Sequence, residues 1–464
     1  MADSPSVDAR HGLDPVERRA VISLIGIYVL RMMGLFMVLP VFVLYADDYG
    51  GSTPMLIGLA IGAYGLTQAL FQIPFGLLSD RFGRKPLIVL GLALFAAGSI
   101  IAALSTSIVG IIIGRVIQGA GAVASVILAL AADLTREQER LKVMAMIGAS
   151  IGVAFAVAIV ISPPLTAALG GLSGLFWLTA VLALGSIAIV VFAVPTPPRG
   201  RVHRDTQAVP ALIGQVMRDP RLLRMDLGVF TLHALLTSNY VALPLLLVEA
   251  GVGPAVHGAV YLGVFAVSLG VAIPALVMAQ RRAAMVRVAV LSMAVMALGQ
   301  VVFIAGGLNW VALTLGLVLF FAAFNALEAL LPSLVSRIAP ADGKGTALGL
   351  YSSAQFLGAF AGGVGGGVLY GAFGAPALFG FGLCLALIWV GLSAQLAEPK
   401  ALANYVLRVG LLPPSEVEAV HRRLTAIAGV EDAVVAAEEG VAYLKVDRRS
   451  LDEGALARVV TRPA

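Results

Sequence analysis

Charged residues are scarce in this sequence. Asp, Glu, Lys and Arg make up 12% of its 464 residues, about half the share found in soluble domains, which excludes a chain folded wholly in water. Cysteine is nearly absent as well. Cys384 stands alone within an apolar run, so neither a disulfide framework nor a cysteine metal site can be built. No glycine-rich phosphate loop ending in Gly-Lys-Ser/Thr occurs, which argues against ATP as an energy source. No nucleophile–base constellation stands out, so the reading is not an enzyme. It implies no cofactor, no metal and no nucleic-acid partner.

What the chain has instead is apolar length: 59% of its residues are hydrophobic. A helix rises about 1.5 Å per residue, so roughly 20 residues cross a hydrocarbon core of about 30 Å. Runs of that length lie near 20–45, 54–79, 86–104, 107–131, 140–165, 172–194, 222–248, 257–279, 285–306, 309–336, 345–372 and 375–396. They do not alternate polar with apolar, as strands of a membrane barrel would. The expected class is an all-α polytopic membrane protein with twelve transmembrane helices. Arg18 and Arg19 precede a first run of about 25 residues, longer than a signal-peptide core, so that run reads as the first span.

Basic residues divide sharply between alternate loops. With the N-terminus inside, the inner connections carry 17 Lys and Arg residues, among them Arg81, Arg84, Lys85, Arg136, Arg281 and Arg337, and the outer ones none. The positive-inside rule then places both termini in the cytoplasm. The long connection 195–221 starts Pro-Thr-Pro-Pro and is rich in arginine. It separates six spans from six, giving halves at 1–194 and 222–398. Within it, Val209–Met217 reads either as a surface helix or as plain linker.

The loop after the second run reads Gly76-Leu77-Leu78-Ser79-Asp80-Arg81-Phe82-Gly83-Arg84-Lys85. Gly76 permits close helix approach, Gly83 permits a tight turn, and Asp80 lies among three cations. Such a cluster can latch one conformation and release it in another. The segment resembles the signature loop of the major facilitator superfamily, G-x-x-x-D-R-x-G-R-[RK]. Gly114-Arg115-Val116-Ile117-Gln118-Gly119-Ala120-Gly121 is similar to that superfamily's second motif. Gly148, Gly152, Ala156 and Ser162-Pro163-Pro164 resemble its fifth-span antiporter motif, with Ser162 where a glycine would precede proline. Ordinary helix packing also uses such small residues.

Phe36-Met37-Val38-Leu39-Pro40, Asp133-Leu134-Thr135-Arg136-Glu137-Gln138 and Glu328-Ala329-Leu330-Leu331-Pro332 look like the YajR-type group, as does the C-terminal extension. The resemblance implies two six-helix halves and a proton-driven, drug-efflux-like antiporter of the bacterial inner membrane, powered by the proton gradient. It also implies that Asp80, Arg84 and Asp133 form one charge cluster. Proton-coupled import of a nutrient is a second reading, and a non-transporting membrane sensor a third.

A charge in mid-membrane costs at least about 2.5–3.5 kcal/mol on insertion scales, so ionisable groups there are candidate functional residues. Arg31, Arg115, His233 and Glu328 qualify, and Glu328 is the only carboxylate deep in any expected span. Each has a structural alternative: satisfied arginines, a packed histidine, a static ion-pair partner. Asn325 shares a helix face with Glu328. Tyr64, Gln68 and Gln72 form a polar stripe on the second span that reads as cavity lining or as packing, and Asn239 and Tyr240 do likewise on the seventh.

After Glu398 charge returns. A strand at Tyr405–Val409, a helix at Pro414–Ala428, strands at Val430–Ala436 and Val441–Asp447 and a helix at Leu451–Val460 suit a ferredoxin-like α+β domain over 399–464, lacking its last strand. About 60 residues is a marginal size alone, so self-association or docking onto cytoplasmic loops would support it. The division of basic residues makes a test: a reporter fused after Ala464 or within 195–221 is expected to read as cytoplasmic, and a periplasmic signal would overturn the twelve-span topology.

Overall fold

The computed structural model describes residues 13–196, 210–340, 343–399, 402–410, 412–437, 440–447, 450–452 and 454–456. Among them, twelve helices are long and apolar enough to cross a membrane. They are numbered here as spans 1 to 12: Pro15–Phe36, Pro54–Phe82, Arg84–Leu104, Ile108–Asp133, Lys142–Ala168, Leu172–Phe192, Pro220–Glu249, Pro254–Arg281, Met285–Gly306, Trp310–Ile338, Lys344–Phe373 and Ala375–Ser393. Helices suit lipid because each satisfies its own backbone. The chain is thus an all-α polytopic membrane protein with a small α+β domain at its C-terminus.

Several spans start earlier than the apolar pattern predicts. Span 1 begins at Pro15 because Asp14 accepts from the amides of Val16 and Glu17 while Glu17 reaches back to the Asp14 amide. This is a capping box, and proline at the first helical position is preset for it. Span 7 likewise starts at Pro220 behind a capping Asp219. Polar caps lie outside an apolar run, so hydropathy alone misses them.

Two spans are interrupted. Span 1, expected to run to 45, stops at Phe36, and a short helix, Phe42–Tyr45, follows a turn. Pro40 lacks an amide and restricts Leu39, which ends the helix. Span 4 consists of Ile108–Ala120 and Ala124–Asp133. At its break a Cβ on Gly121 would stand 2.2 Å from the Gly91 carbonyl, so only glycine lets spans 3 and 4 touch there. Pro210–Val216 forms a short helix; residues 197–209 of the expected connection lie outside the described residues.

Contacts sort the chain into two units. The first contains 1–52, 70–203 and 254–259, the second 53–69, 204–253 and 260–464. Within the first, span 1 packs on spans 5 and 6, and span 3 on spans 4 and 6. Within the second, span 7 packs on spans 10, 11 and 12, and span 9 on spans 10 and 12. The span 7–11 seam is backbone against backbone: a Cβ on Gly358 would lie 2.2 Å from the Phe230 carbonyl, and one on Gly362 2.0 Å from that of Ala234.

The second unit includes the C-terminal domain. Strands β1 (Ala403–Arg408), β2 (Val430–Ala436) and β3 (Val441–Val446) form an antiparallel sheet in the order β1-β3-β2, with a helix at Pro414–Thr425. This order fits a ferredoxin-like fold. Of the final helix expected at 451–460, Gly454–Leu456 are helical and the rest lies largely outside the described residues. Leu407, Leu424, Ala433, Ala442, Leu444 and Val446 form its core.

Side chains alternate across a strand, so Ala442, Leu444 and Val446 face that core while Lys445 points the other way. There it is only 7% exposed, because its Nζ donates to the carbonyls of Arg337 (2.8 Å) and Ala339 at the end of span 10. Burial pushes the Lys445 ammonium below its usual range; Asp432 opposes this, and Arg221 and Lys344 reinforce it. At the opposite helix polarity, Glu398 accepts from the amides of Val286 (2.9 Å) and Arg287 (3.0 Å) at the start of span 9. A cation at a helix carboxyl end and an anion at an amino end are the favourable arrangements. The domain is thereby held to its own membrane unit.

Hydrogen bonds from a charged group contribute about 1.5–3 kcal/mol. Lys445→Glu, which sets a carboxylate against two carbonyl oxygens, is therefore expected to release the domain. Limited proteolysis of the purified protein should show faster cutting between residues 399 and 413, with the membrane part intact; an unchanged digestion rate would show that Lys445 does not hold the dock.

Candidate functional site

Three polar constellations occupy the spans. The first is the charge cluster in the first unit. Gly83 has φ +96° and leads directly into span 3, a conformation that an L side chain rarely adopts. This turn folds Arg84 back onto the end of span 2. Its Nε donates to Asp133 Oδ2 (3.1 Å) and its Nη1 to Ser79 Oγ (2.5 Å), and it pairs with Asp80. Arg84 is only 8% exposed, so the pairing works in a medium of reduced dielectric. Lys85 turns elsewhere and donates to the Val194 carbonyl (2.9 Å) just beyond span 6. Arg81 lies over the Phe82 ring at 5.5 Å. Gly76 meets only ordinary contact, with Ser125 Oγ 3.6 Å from where a Cβ would sit.

Sequence reading missed a neighbouring pair. Glu17, buried at the start of span 1, accepts from Arg136 through its backbone amide (2.8 Å), Nε (3.0 Å) and Nη2 (2.9 Å). The signal was present in Asp14-Pro15-Val16-Glu17, which has the form of a capping box.

The second constellation surrounds the break in span 4. Arg31 is buried, donates to the Gly121 carbonyl (3.3 Å) and places its guanidinium 5.8 Å from the centre of the Phe95 ring. Arg115 Nη1 donates to Gln118 Oε1 (2.9 Å), and Gln118 Nε2 donates to Ser99 Oγ (2.7 Å). Both arginines thus engage the interrupted helix itself. Ser162 donates to the Met37 carbonyl, which the early end of span 1 exposes; a glycine there has no hydroxyl to offer. Pro163 lies inside span 5. No described atom comes within 4 Å of a Cβ placed on Gly148 or Gly152, so these glycines make no close helix contact in this conformation. On span 2, the Tyr64 hydroxyl donates to Gln68 Oε1 (3.0 Å), and the Gln72 carbonyl accepts from Ser125 (3.1 Å). All three stripe residues are buried.

The third lies in the second unit, where spans 7, 10 and 11 meet. His233 Nδ1 lies 3.1 Å from the Val229 carbonyl one turn earlier. Its Nε2 lies 3.0 Å from Glu328 Oε1 and 2.8 Å from the Gln355 side-chain nitrogen. The Phe324 ring flanks the imidazole at 5.7 Å. His233 is buried, while the Glu328 side chain is about one-third exposed (35%). Asn325 sits one turn before Glu328, its amide nitrogen buried. The sequence pointed to His233 and Glu328 separately. It did not point to Gln355, whose only signal was a polar side chain in a glycine-rich span.

Residues 24–362 match the Major Facilitator Superfamily. The chain is 45% identical over 440 residues to the inner membrane transport protein YajR of Escherichia coli (strain K12), covering 94% of this chain and 96% of that protein. It is 27% identical over 190 residues to the tetracycline resistance protein, class B, of Escherichia coli, covering 39% and 45% of the two chains. Among solved structures, a D-xylose-proton symporter superposes with a TM-score of 0.68 at 15% identity, covering 83% of this chain and 99% of that one.

Because Arg84 contacts Asp80, Asp133 and Ser79 at once, the cluster is one network. Asp80→Asn and Asp133→Asn are each expected to slow transport while leaving the protein folded. A double-mutant cycle should show coupling of about 0.5–3 kcal/mol, as for residues that share a partner. Strict additivity would mean that the two carboxylates act separately.

Proposed function

We propose that this chain, which belongs to the Major Facilitator Superfamily, exports a small amphipathic compound in exchange for protons, and that His233 and Glu328 carry the proton. That it is a secondary transporter of the membrane, and not an enzyme, follows from the family. The observation that carries the finer reading is the 3.0 Å approach of Glu328 to His233 within spans 7 and 10. Isolated charges at that depth are costly, and a pair that exchanges a proton avoids the cost in two ways, as neutral acid with neutral base or as carboxylate with imidazolium. The Glu328 oxygen that faces His233 is buried while the rest of the side chain is partly accessible, so in this reading the pair trades its proton with whichever side of the membrane the cycle opens to it. Substrate then competes with the proton for the same polar groups.

The direction of transport rests on the resemblance of span 5 to the antiporter motif and on the similarity to a relative described as a tetracycline resistance protein. The same fold occurs in a D-xylose-proton symporter, so fold alone does not choose between export and import. The division of basic residues supports a protein of the bacterial inner membrane with both termini in the cytoplasm. It also supports six-span halves at 1–194 and 222–398, joined by 195–221, with a cytoplasmic domain at 399–464. In this reading the charge cluster of Asp80, Arg84 and Asp133 stabilises one stage of the cycle. The C-terminal domain is a regulatory attachment, and it also offers a surface for self-association.

The test uses protein in liposomes and a panel of amphipathic compounds screened under an imposed pH gradient. With the best compound, Glu328→Gln is expected to remove most of the pH-driven flux, since the amide cannot load and release a proton, while substrate exchange without a gradient persists. Undiminished pH-driven flux would remove Glu328 from the mechanism.

A further inference from the structure

We propose that Gln355 is a positioning residue that ties the protonation of His233 to the position of span 11; this rests on the His233–Glu328 reading above. Val229 offers Nδ1 only a carbonyl oxygen, 3.1 Å away. A carbonyl accepts and never donates, so Nδ1 keeps its hydrogen whatever the charge of the ring, and the nitrogen that gains or loses a proton is Nε2. Two groups converge on that atom: the Gln355 amide nitrogen at 2.8 Å and Glu328 Oε1 at 3.0 Å.

One nitrogen cannot serve both in the same way. When His233 is neutral, the single lone pair of Nε2 accepts from the Gln355 N–H, and Glu328 is best placed there as a neutral acid. When the proton passes from Glu328 to Nε2, an O–H bond breaks and an N–H bond forms, leaving carboxylate and imidazolium. Nε2 then donates to Glu328 and has no lone pair left. The Gln355 N–H now faces an N–H, so the amide must rotate or withdraw. The orientation of Gln355 thus depends on where the proton sits.

Gln355 belongs to span 11, whose seam with span 7 consists of Gly358, Gly362 and Gly366 against the backbone of Phe230, Ala234 and Ser238. Beyond that smooth seam, Thr237 Oγ1 donates to the Ala359 carbonyl (2.9 Å) and the Gln355 side-chain nitrogen meets His233 Nε2 (2.8 Å). Losing the second removes one of these two polar ties between spans 7 and 11.

The titratable surroundings are few. Span 10 presents Glu328, and span 11 presents Tyr351, one turn before Gln355 and within electrostatic range of both Glu328 and Asp226. Span 7 contributes Asp226 itself. Arg337 and Lys344 stand near the far ends of spans 10 and 11, and span 12 contains no charged residue between Ala375 and Ser393. On span 2, Tyr64 stands edge-on to Phe356 at 6.2 Å, its hydroxyl donated to Gln68.

The experiment needs no substrate. The full-length protein, labelled with nitrogen-15 histidine and placed in lipid nanodiscs, is titrated by magnetic resonance, with the His233 signals assigned through His233→Gln. In the native protein near neutral pH, Nδ1 is expected to carry the hydrogen. Gln355→Leu removes a donor that favours the neutral ring. The pH at which the Nε2 signal changes is therefore expected to rise by about half to one unit. Gln355→Glu, which keeps the size of the side chain and adds an acceptor, should raise it further and serves should the leucine variant fold poorly. A midpoint unmoved in the folded variants overturns the inference, even if pH-driven transport proves to need Glu328. A raised midpoint supports it, even if transport proves indifferent to Glu328→Gln, a result that would remove only the proton-coupling reading.

Discussion

A carbonyl or amide left open at a helix end needs a partner, inside lipid because water is absent and at the membrane surface wherever other chain covers it, and much of this structure answers that constraint. Where span 1 stops early, Ser162 takes the Met37 carbonyl. Where span 4 breaks, Arg31 adds a second hydrogen bond to the Gly121 carbonyl, which also accepts from the Val123 amide. At the end of span 6, Lys85 and Arg19 reach Val194 and Phe192. Lys445 closes span 10, and Glu398 covers two amides at the start of span 9. In each case the partner comes from a different element, so satisfying one helix end also fixes two pieces of chain to each other.

This changes how the charged residues are understood. Arg31 and Arg115 invite a functional reading because a membrane charge is costly, yet the contacts described for both serve the interrupted span 4. Lys85 belongs to the signature loop by sequence, but its ammonium caps span 6 and does not join the carboxylates around Arg84. A polar residue in lipid can therefore have a structural task as demanding as a chemical one. What sets the His233–Glu328 pair apart is that both partners are titratable and one is partly exposed.

The C-terminal domain shows the same logic at the membrane surface. Its core is small, and among the described residues the helix Pro414–Thr425 and Leu456 pack on one face of the three-stranded sheet, leaving the other for contact outside the domain. Lys445 and Tyr443 on that face are buried, and Lys445 ends against span 10, the helix that also holds Glu328. The domain is thus tied by hydrogen bonds to the end of the same helix that carries Glu328.

Much of this was legible in the sequence itself. Twelve spans follow from apolar length, the Gly83 turn from its glycine, and the grouping of Asp80 with Arg84 from spacing within one loop; each depends on local chain properties. The starts of spans 1 and 7 were less legible, because caps such as Asp14 and Asp219 are polar and fall outside the apolar run. Local sequence could not decide which distant groups would meet. Gln355 is 122 residues from His233, Arg136 119 from Glu17, and Lys445 108 from Arg337. Such encounters depend on how helices pack side by side, and packing is set by the whole surface of each helix, whereas span length and turns are set by neighbours along the chain.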